Sequence, residues 1–246
     1  MHDIESGTFD SNALVLYIWG SDSIIYLKDT YGNDVLGDKV IWGPAEDRIY
    51  FDVPGSSSWS YCYFEFKTKL WVFYNGFKPA LDFIDANTIL TYYTDEYGYY
   101  RPARMDREGN IIGDINNPYL ISTSPGQFSK AWVSKYSASL DLFVGGYIDT
   151  SYARNYYGII ATNDNGSIFN IITNDEYIDL NPVFGFHGQT IYFERKEDIL
   201  VDPDNKNWIM KYHFNDNRLQ MQFPVGSFNG AENINLIDFS ESLILN

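Results

Sequence analysis

Three histidines are the first candidates for metal or proton chemistry, but His2, His187 and His213 form neither an H-x-H nor an H-x-x-x-H pair. Those are the spacings that bring two imidazoles to one ion from a single element. The stretch VDPDNKNW (Val201 to Trp208) opens like a calcium loop, with Asp202 and Asp204 in alternation. Lys206 then stands where a third ligand belongs, and neither the sixth-position glycine nor the distal glutamate follows. It is expected to be a polar insertion between strands, and no metal or cofactor is assigned. No G-x-S-x-G elbow, P-loop or dinucleotide fingerprint occurs. The lone Cys62, inside the alternating SYCYFEF, excludes an intrachain disulfide and is expected to be a buried, inert thiol. Glycosidic cleavage needs a pair of carboxylates. Of 33 acids, Asp3, Asp82, Asp85 and Asp238 are the nearest candidates, and no catalytic residue is assigned.

The remaining signal is aromatic. YYTDEYGYYRP gathers Tyr92, Tyr93, Tyr97, Tyr99 and Tyr100 beside Arg101, and YARNYYG adds Tyr152, Tyr156 and Tyr157. Tyrosine and arginine are enriched where proteins meet partners, because they offer large contact area together with a polar tip. Gly98 and Asn155 suit exposed turns. These nine residues are the expected partner-binding surface, for a protein or a glycan.

Such residues need elements to hold them, and the chain repeats one element. In KVIWGPAEDRIYFDV, Trp42 precedes Ile49 by seven positions; in NPVFGFHGQTIYFERK, Phe184 precedes Ile191 by seven. Weaker copies place Phe83 before Leu90, Val133 before Leu140 and Leu236 before Leu243, with a degenerate one around Leu14. The anchors at 14, 49, 90, 140, 191 and 243 are separated by 35, 41, 50, 51 and 52 residues. Each is followed by two further short strands joined by a polar turn, such as DTYGN, DREGN or NDNG. Alternating short strands at a period near 40–50 residues are the sign of a β-propeller.

The segment TNDNGSIFNIITNDEYIDLNPVFGFHGQTIYFERK resembles the TolB-type propeller repeat. Asp164, Gly166, Ser167, Thr173, Pro182, Phe184, Gly188, Ile191 and Phe193 fall on its pattern, and MDREGN and WGPAEDRIYF echo it. The family's Ser-Pro-Asp-Gly turn is replaced by Gly-Phe-His-Gly at 185 to 188 and by Gly-Pro-Ala-Glu at 43 to 46. Agreement is good over about 35 residues. The resemblance implies the fold; the motif residues of that family are structural, so no catalytic residue follows from it. Thr162, Asp164, Gly166 and Phe169 also fit the Asp-box of sialidase-type propellers, which implies a turn between outer strands.

Composition agrees with an all-β chain: 246 residues, 18% aromatic, 20% charged. The formal net charge of −16, with 17 scattered basic residues, argues against nucleic acid as a partner. No 18-residue apolar run is present, so membrane insertion is not expected. The N-terminus has no apolar signal core. Localisation stays open, cytoplasm or virion for a full-length chain, periplasm or cell surface for a mature one. The expected architecture is a single all-β domain over residues 1–246, a propeller of four-stranded blades. Five blades are preferred and six are the alternative, closed by the C-terminal strands pairing with the N-terminal blade. The expected function is a non-enzymatic interaction or scaffold propeller, with a subunit role in a virion, tail or envelope complex in view. The alternative is a propeller glycoside hydrolase using channel carboxylates.

Overall fold

The computed structural model describes residues 13–18, 23–45, 47–52, 61–74, 76–127, 129–150, 156–173, 177–185, 187–196 and 207–225. Every element among them is a strand. The first two, β1 (Val15–Ile18) and β2 (Ser23–Tyr26), form a two-stranded sheet. Four antiparallel sheets of four strands follow. The first contains β3 (Asp38–Trp42), β4 (Arg48–Asp52), β5 (Tyr61–Glu65) and β6 (Leu70–Phe73). The second contains β7 (Asp82–Phe83), β8 (Thr88–Thr94), β9 (Tyr100–Asp106) and β10 (Ile111–Asp114). The third contains β11 (Ala131–Ser137), β12 (Leu142–Asp149), β13 (Tyr156–Thr162) and β14 (Phe169–Ile171). The fourth contains β15 (Ile178–Phe184), β16 (Thr190–Lys196), β17 (Asn207–His213) and β18 (Arg218–Val225). Strands in each sheet pair in chain order.

The count corrects the sequence expectation. Among the described residues there are four four-stranded blades, not five or six. Among the described residues the first repeat contributes β1 and β2, extended by single bridges Ala13–Leu36 and Lys28–Asp34. The strands expected to close the ring, residues 233–246, lie outside the described residues.

The seven-residue spacing is a hairpin register. Trp42 pairs with Ile49 and Phe184 with Ile191, while the Phe83 copy is one residue off, pairing with Ile89. The Val133 copy fails. Val133 pairs with Gly145, and the supposed anchor Leu140 sits in the turn. There β11 and β12 run on to Ser137–Leu142, and the turn closes with Asp141 in the left-handed region at φ 52°. The first strands of three sheets carry a bulge at a similar place, Asp38/Ile41, Val133/Lys135 and Leu180/Val183. In β15 the bulge contains Asn181 at φ 55° and Pro182, which lets a proline stand inside a paired strand.

By compactness the chain divides into two units, Met1–Tyr93 with Met105–Ile111, and Thr94–Arg104 with Ile112–Asn246. In the first unit β4 is buried on both faces, since alternate side chains face opposite ways. Ile49 and Phe51 join Leu14, Val35, Cys62 and Phe64, whereas Tyr50 joins Tyr63, Tyr74, Ile89 and Met105. Cys62 is fully buried, and the Trp71 indole N–H donates to its sulfur at 2.9 Å. In the second unit Val144, Ile159, Ala161, Ile191, Phe193 and Met210 form the core. Gly146 is required by close approach: a Cβ there would lie 2.2 Å from the Trp132 ring across the β11–β12 pair. No helix among the described residues is long and apolar enough to cross a membrane.

Turn chemistry explains where hairpins close. Asp29, Asp95 and Asp106 each stand three residues before a glycine at positive φ, Gly32, Gly98 and Gly109. The Asp106 carboxylate accepts the backbone N–H groups of Glu108 and Asn110 at 2.9 and 2.8 Å and the Asn110 side chain at 2.8 Å. Burial alone would raise its pKa, but these donors outweigh it and hold the carboxyl below the usual range. A depressed folded pKa stabilises the fold above the unfolded value, near 3.9. That contribution is lost as pH falls through the folded value. The stability difference between the wild type and Asp106→Asn is therefore expected to be complete above about pH 4 and to vanish in stronger acid. Melting curves from pH 7 down to about pH 2 check this; a difference that persists or grows in acid contradicts it.

Candidate functional site

The tyrosine hairpin is built on one carboxylate. Asp95 Oδ1 accepts the backbone N–H groups of Tyr97 and Tyr99, both at 2.9 Å, and Oδ2 accepts from Arg101 Nε at 2.6 Å. Desolvation pushes the Asp95 pKa up, but Arg101 and the two N–H groups prevail and hold it low. A second segment braces the turn from outside. Ser122 N–H donates to Tyr100 O at 3.2 Å and Gly126 N–H to Gly98 O at 2.9 Å. The result is a fixed loop with Tyr97 at its tip, 69% exposed.

The other expected contact residues divide. Tyr92 is only 3% exposed, a correction to its placement on a surface: β8 is an inner strand, so the ring is covered. Tyr93, Tyr99, Tyr100 and Arg101 are half-buried. In the second cluster Tyr157 is half-buried on β13 opposite Ile148, and Tyr156 pairs with Asp149 in the backbone ladder. Tyr152 lies outside the described residues. Tyr119, which the sequence did not single out, is half exposed and stacks on Phe169 at 4.3 Å.

Of the acids considered for hydrolysis, Asp3 and Asp238 lie outside the described residues. Asp82 lies in β7 opposite Leu90. Asp85 caps its own turn, accepting the Asn87 backbone N–H at 2.8 Å. That bond, followed by one from the Thr88 side chain, outweighs desolvation and lowers its pKa. A general acid for glycosidic cleavage needs the opposite shift.

The structure also assembles a group that motif spacing did not show. His187, Gln189, Thr190, Lys211, His213 and Asn215 line a depression of about 510 Å³. His187 and His213 are 26 positions apart, and only the β16–β17 register, which sets Thr190 opposite His213, brings their neighbourhoods together. The turn carrying His187 is fastened by Ser139 Oγ to His187 O at 3.1 Å and by Ser137 Oγ to Gly188 O at 3.0 Å. Among the described residues no cluster of three His, Cys, Asp or Glu is disposed to hold a metal ion.

Successive antiparallel four-stranded sheets with chain-order pairing are the blades of a β-propeller. In fold it is similar to TolB propellers. It is similar to a protein described as a TolB from Agrobacterium tumefaciens, with a TM-score of 0.58 and 10% identity, covering 83% of this chain and 71% of that one. It is similar also to TolB from Acinetobacter baumannii, with a TM-score of 0.59 and 12% identity over 87% of this chain. The chain spans 48% of that protein, about half its length. Hydrazine synthase of Kuenenia stuttgartiensis has a TM-score of 0.53 and 9% identity, covering 84% of this chain and 61% of that one. No protein-family model and no curated protein sequence matches the chain.

Proposed function

We propose that this chain is a non-enzymatic binding propeller, a rigid frame that presents the Asp95–Arg101 turn to a protein partner. The observation that carries this reading is the turn itself. One carboxylate and two backbone bonds from the 122–126 segment fix a loop whose outermost ring, Tyr97, is left uncovered. Tyrosines fixed before binding lose little entropy for the area they contribute. Tyr93, Tyr99, Tyr100 and Arg101 form the sides of this surface, and Tyr152, Tyr156 and Tyr157 a second patch. A glycan ligand and membership of a larger assembly are compatible with the same surface. We further propose that residues 1–246 act as one propeller domain, its ring closed by the C-terminal strands.

Cross-linking with mass spectrometry on the wild-type protein in its native source identifies the partner. Binding is then compared with Tyr97→Ser and Tyr99→Ser. Loss of roughly tenfold or more in affinity is expected, with an unchanged melting midpoint for Tyr97→Ser, because exposed substitutions usually stay within about 0.5 kcal/mol of wild type. A melting decrease equivalent to about 2 kcal/mol or more per residue would place these rings in the core and remove the proposed surface. Turnover of oligosaccharides or aryl glycosides, abolished by Asp82→Asn, would replace the binding reading with a hydrolytic one.

A further inference from the structure

Three turns of this chain share one construction and differ in what their third residue does. Asp29, Asp95 and Asp106 each accept the backbone N–H two residues on, at 2.8, 2.9 and 2.9 Å. Each also accepts the N–H four residues on, at 2.9, 2.9 and 2.8 Å. Each turn closes with a glycine N–H donating to the aspartate carbonyl, and Gly32, Gly98 and Gly109 lie at φ 86°, 84° and 88°. The third position carries Tyr31, Tyr97 and Glu108. Glu108 is engaged within the molecule: it pairs with Arg48 at 3.5 Å, and a Cβ on Gly109 would press into the Tyr74 ring. Around Gly32 a Cβ would meet nothing within 4 Å. Tyr31 is 88% exposed, the highest value among the large hydrophobic residues described. The turn itself does not call for a ring, since Glu108 fills the same place. Asp29 holds this turn as firmly as the other two, with Asn33 Nδ2 on its second oxygen at 3.1 Å, yet the tyrosine is left to solvent.

The neighbours of the ring define what it fits. Asp29 and Asp34 flank Tyr31, with Asp34 paired to Lys28, and Asp95 and Glu96 flank Tyr97. The Asn33 side-chain amide and the backbone N–H groups of the turn outweigh desolvation and hold the Asp29 carboxyl below the usual range. A π face beside a carboxylate attracts a cation. The chain makes that combination internally twice. The Arg48 guanidinium lies 4.3 Å from the centre of the Tyr63 ring and pairs with Glu65 at 3.3 Å. Arg195 lies 4.5 Å from the Tyr177 ring and pairs with Asp179 at 2.8 Å. Tyr31 with Asp29 presents the tyrosine and carboxylate of this arrangement at the surface.

We propose that the Asp29–Gly32 turn is a second contact point of this chain, where Tyr31 receives an arginine side chain of a basic protein partner. The inference rests on the reading that an Asp-capped turn presents its tyrosine to a partner, and it adds the second turn and the chemistry met there. Oligo-arginine, oligo-lysine and oligo-glutamate peptides of equal length are titrated into the intact chain, with the Tyr31 ring and Gly32 amide signals followed by NMR. The range extends to about 10 mM, well past a Kd of about 1 mM. Saturable shifts are expected with oligo-arginine, smaller ones with oligo-lysine, whose ammonium stacks less well on a ring, and none with oligo-glutamate. Tyr31→Ser, read at the Gly32 amide, is expected to weaken oligo-arginine binding about fivefold, with an unchanged melting midpoint. Tyr31→Phe keeps the ring face and should bind within about twofold of wild type. The proposal is overturned if oligo-glutamate shifts the signals as oligo-arginine does, or if sodium chloride at equal ionic strength reproduces the shifts. It is overturned also if Tyr31→Ser binds oligo-arginine as the wild type does, which would leave only the general attraction of an acidic chain. Failure at Tyr31 alone, with Tyr97→Ser still losing the cross-linked partner, removes this inference and leaves the Tyr97 turn in place; failure at both turns removes the binding reading with it.

Discussion

Asp179→Ala is expected to lower stability by about 3–5 kcal/mol, a fall in melting midpoint on the order of 10 °C for a chain of this size. Asp179 on β15 and Arg195 on β16 are register partners. Their two hydrogen bonds are both 2.8 Å, and the side chains are only 1% and 9% exposed. The guanidinium also lies 4.5 Å from the centre of the Tyr177 ring. Removing the carboxylate takes two charge-assisted hydrogen bonds from a buried guanidinium, which costs far more than the intact pair contributes. A double variant separates these terms. Asp179→Leu with Arg195→Met removes both charges at similar volume, and most of the lost stability should return. If Asp179→Ala melts within about 2 °C of wild type, the charge is hydrated after all and the pair is not the clamp described. If the double variant is no better than the single one, packing of the side chains rather than charge holds these strands.

Much of this frame was legible because hairpin pairing leaves a local signature. Trp42 with Ile49 and Phe184 with Ile191 could be matched from a seven-residue spacing, since a short turn fixes which residues face each other. The same rule failed at Val133, where longer strands and Asp141 in the left-handed region moved the turn beyond the expected anchor. Tyr92 and Tyr97 look alike in a string of tyrosines. Their fates differ because one occupies an inner strand and the other the tip of an Asp-capped turn, and the position of Gly98 was the readable cue. His187 and His213 had no such cue. Their shared depression depends on a register across 26 residues, and a motif defined on one element cannot express that.

Deleting Ala231 to Asn246 is expected to abolish the cooperative melting transition or to render the chain insoluble. The reason lies at the other end of the sequence. Among the described residues every later sheet has four strands, whereas β1 and β2 form a pair with two single bridges beyond them. Ile24 and Ile25 are 58% and 46% exposed, and adjacent strand residues point to opposite faces, so apolar surface is open on both sides of this ribbon. A two-stranded ribbon is marginal by itself, and an apolar edge left open invites pairing with other chains. The segment NINLIDFSESLILN offers short runs of alternating apolar residues, Ile234 with Leu236, Ile237 with Phe239 and Leu243 with Leu245. We propose that it pairs with residues 13 to 28 and so closes the ring. Melting by circular dichroism together with light scattering compares the deletion with the intact chain. Adding the 231–246 peptide in trans should restore part of the transition, because the strand partner is then supplied without its covalent link. A deleted chain that stays monomeric and melts at the wild-type midpoint would show that β1 and β2 need no such strand, and the closure would have to be given up.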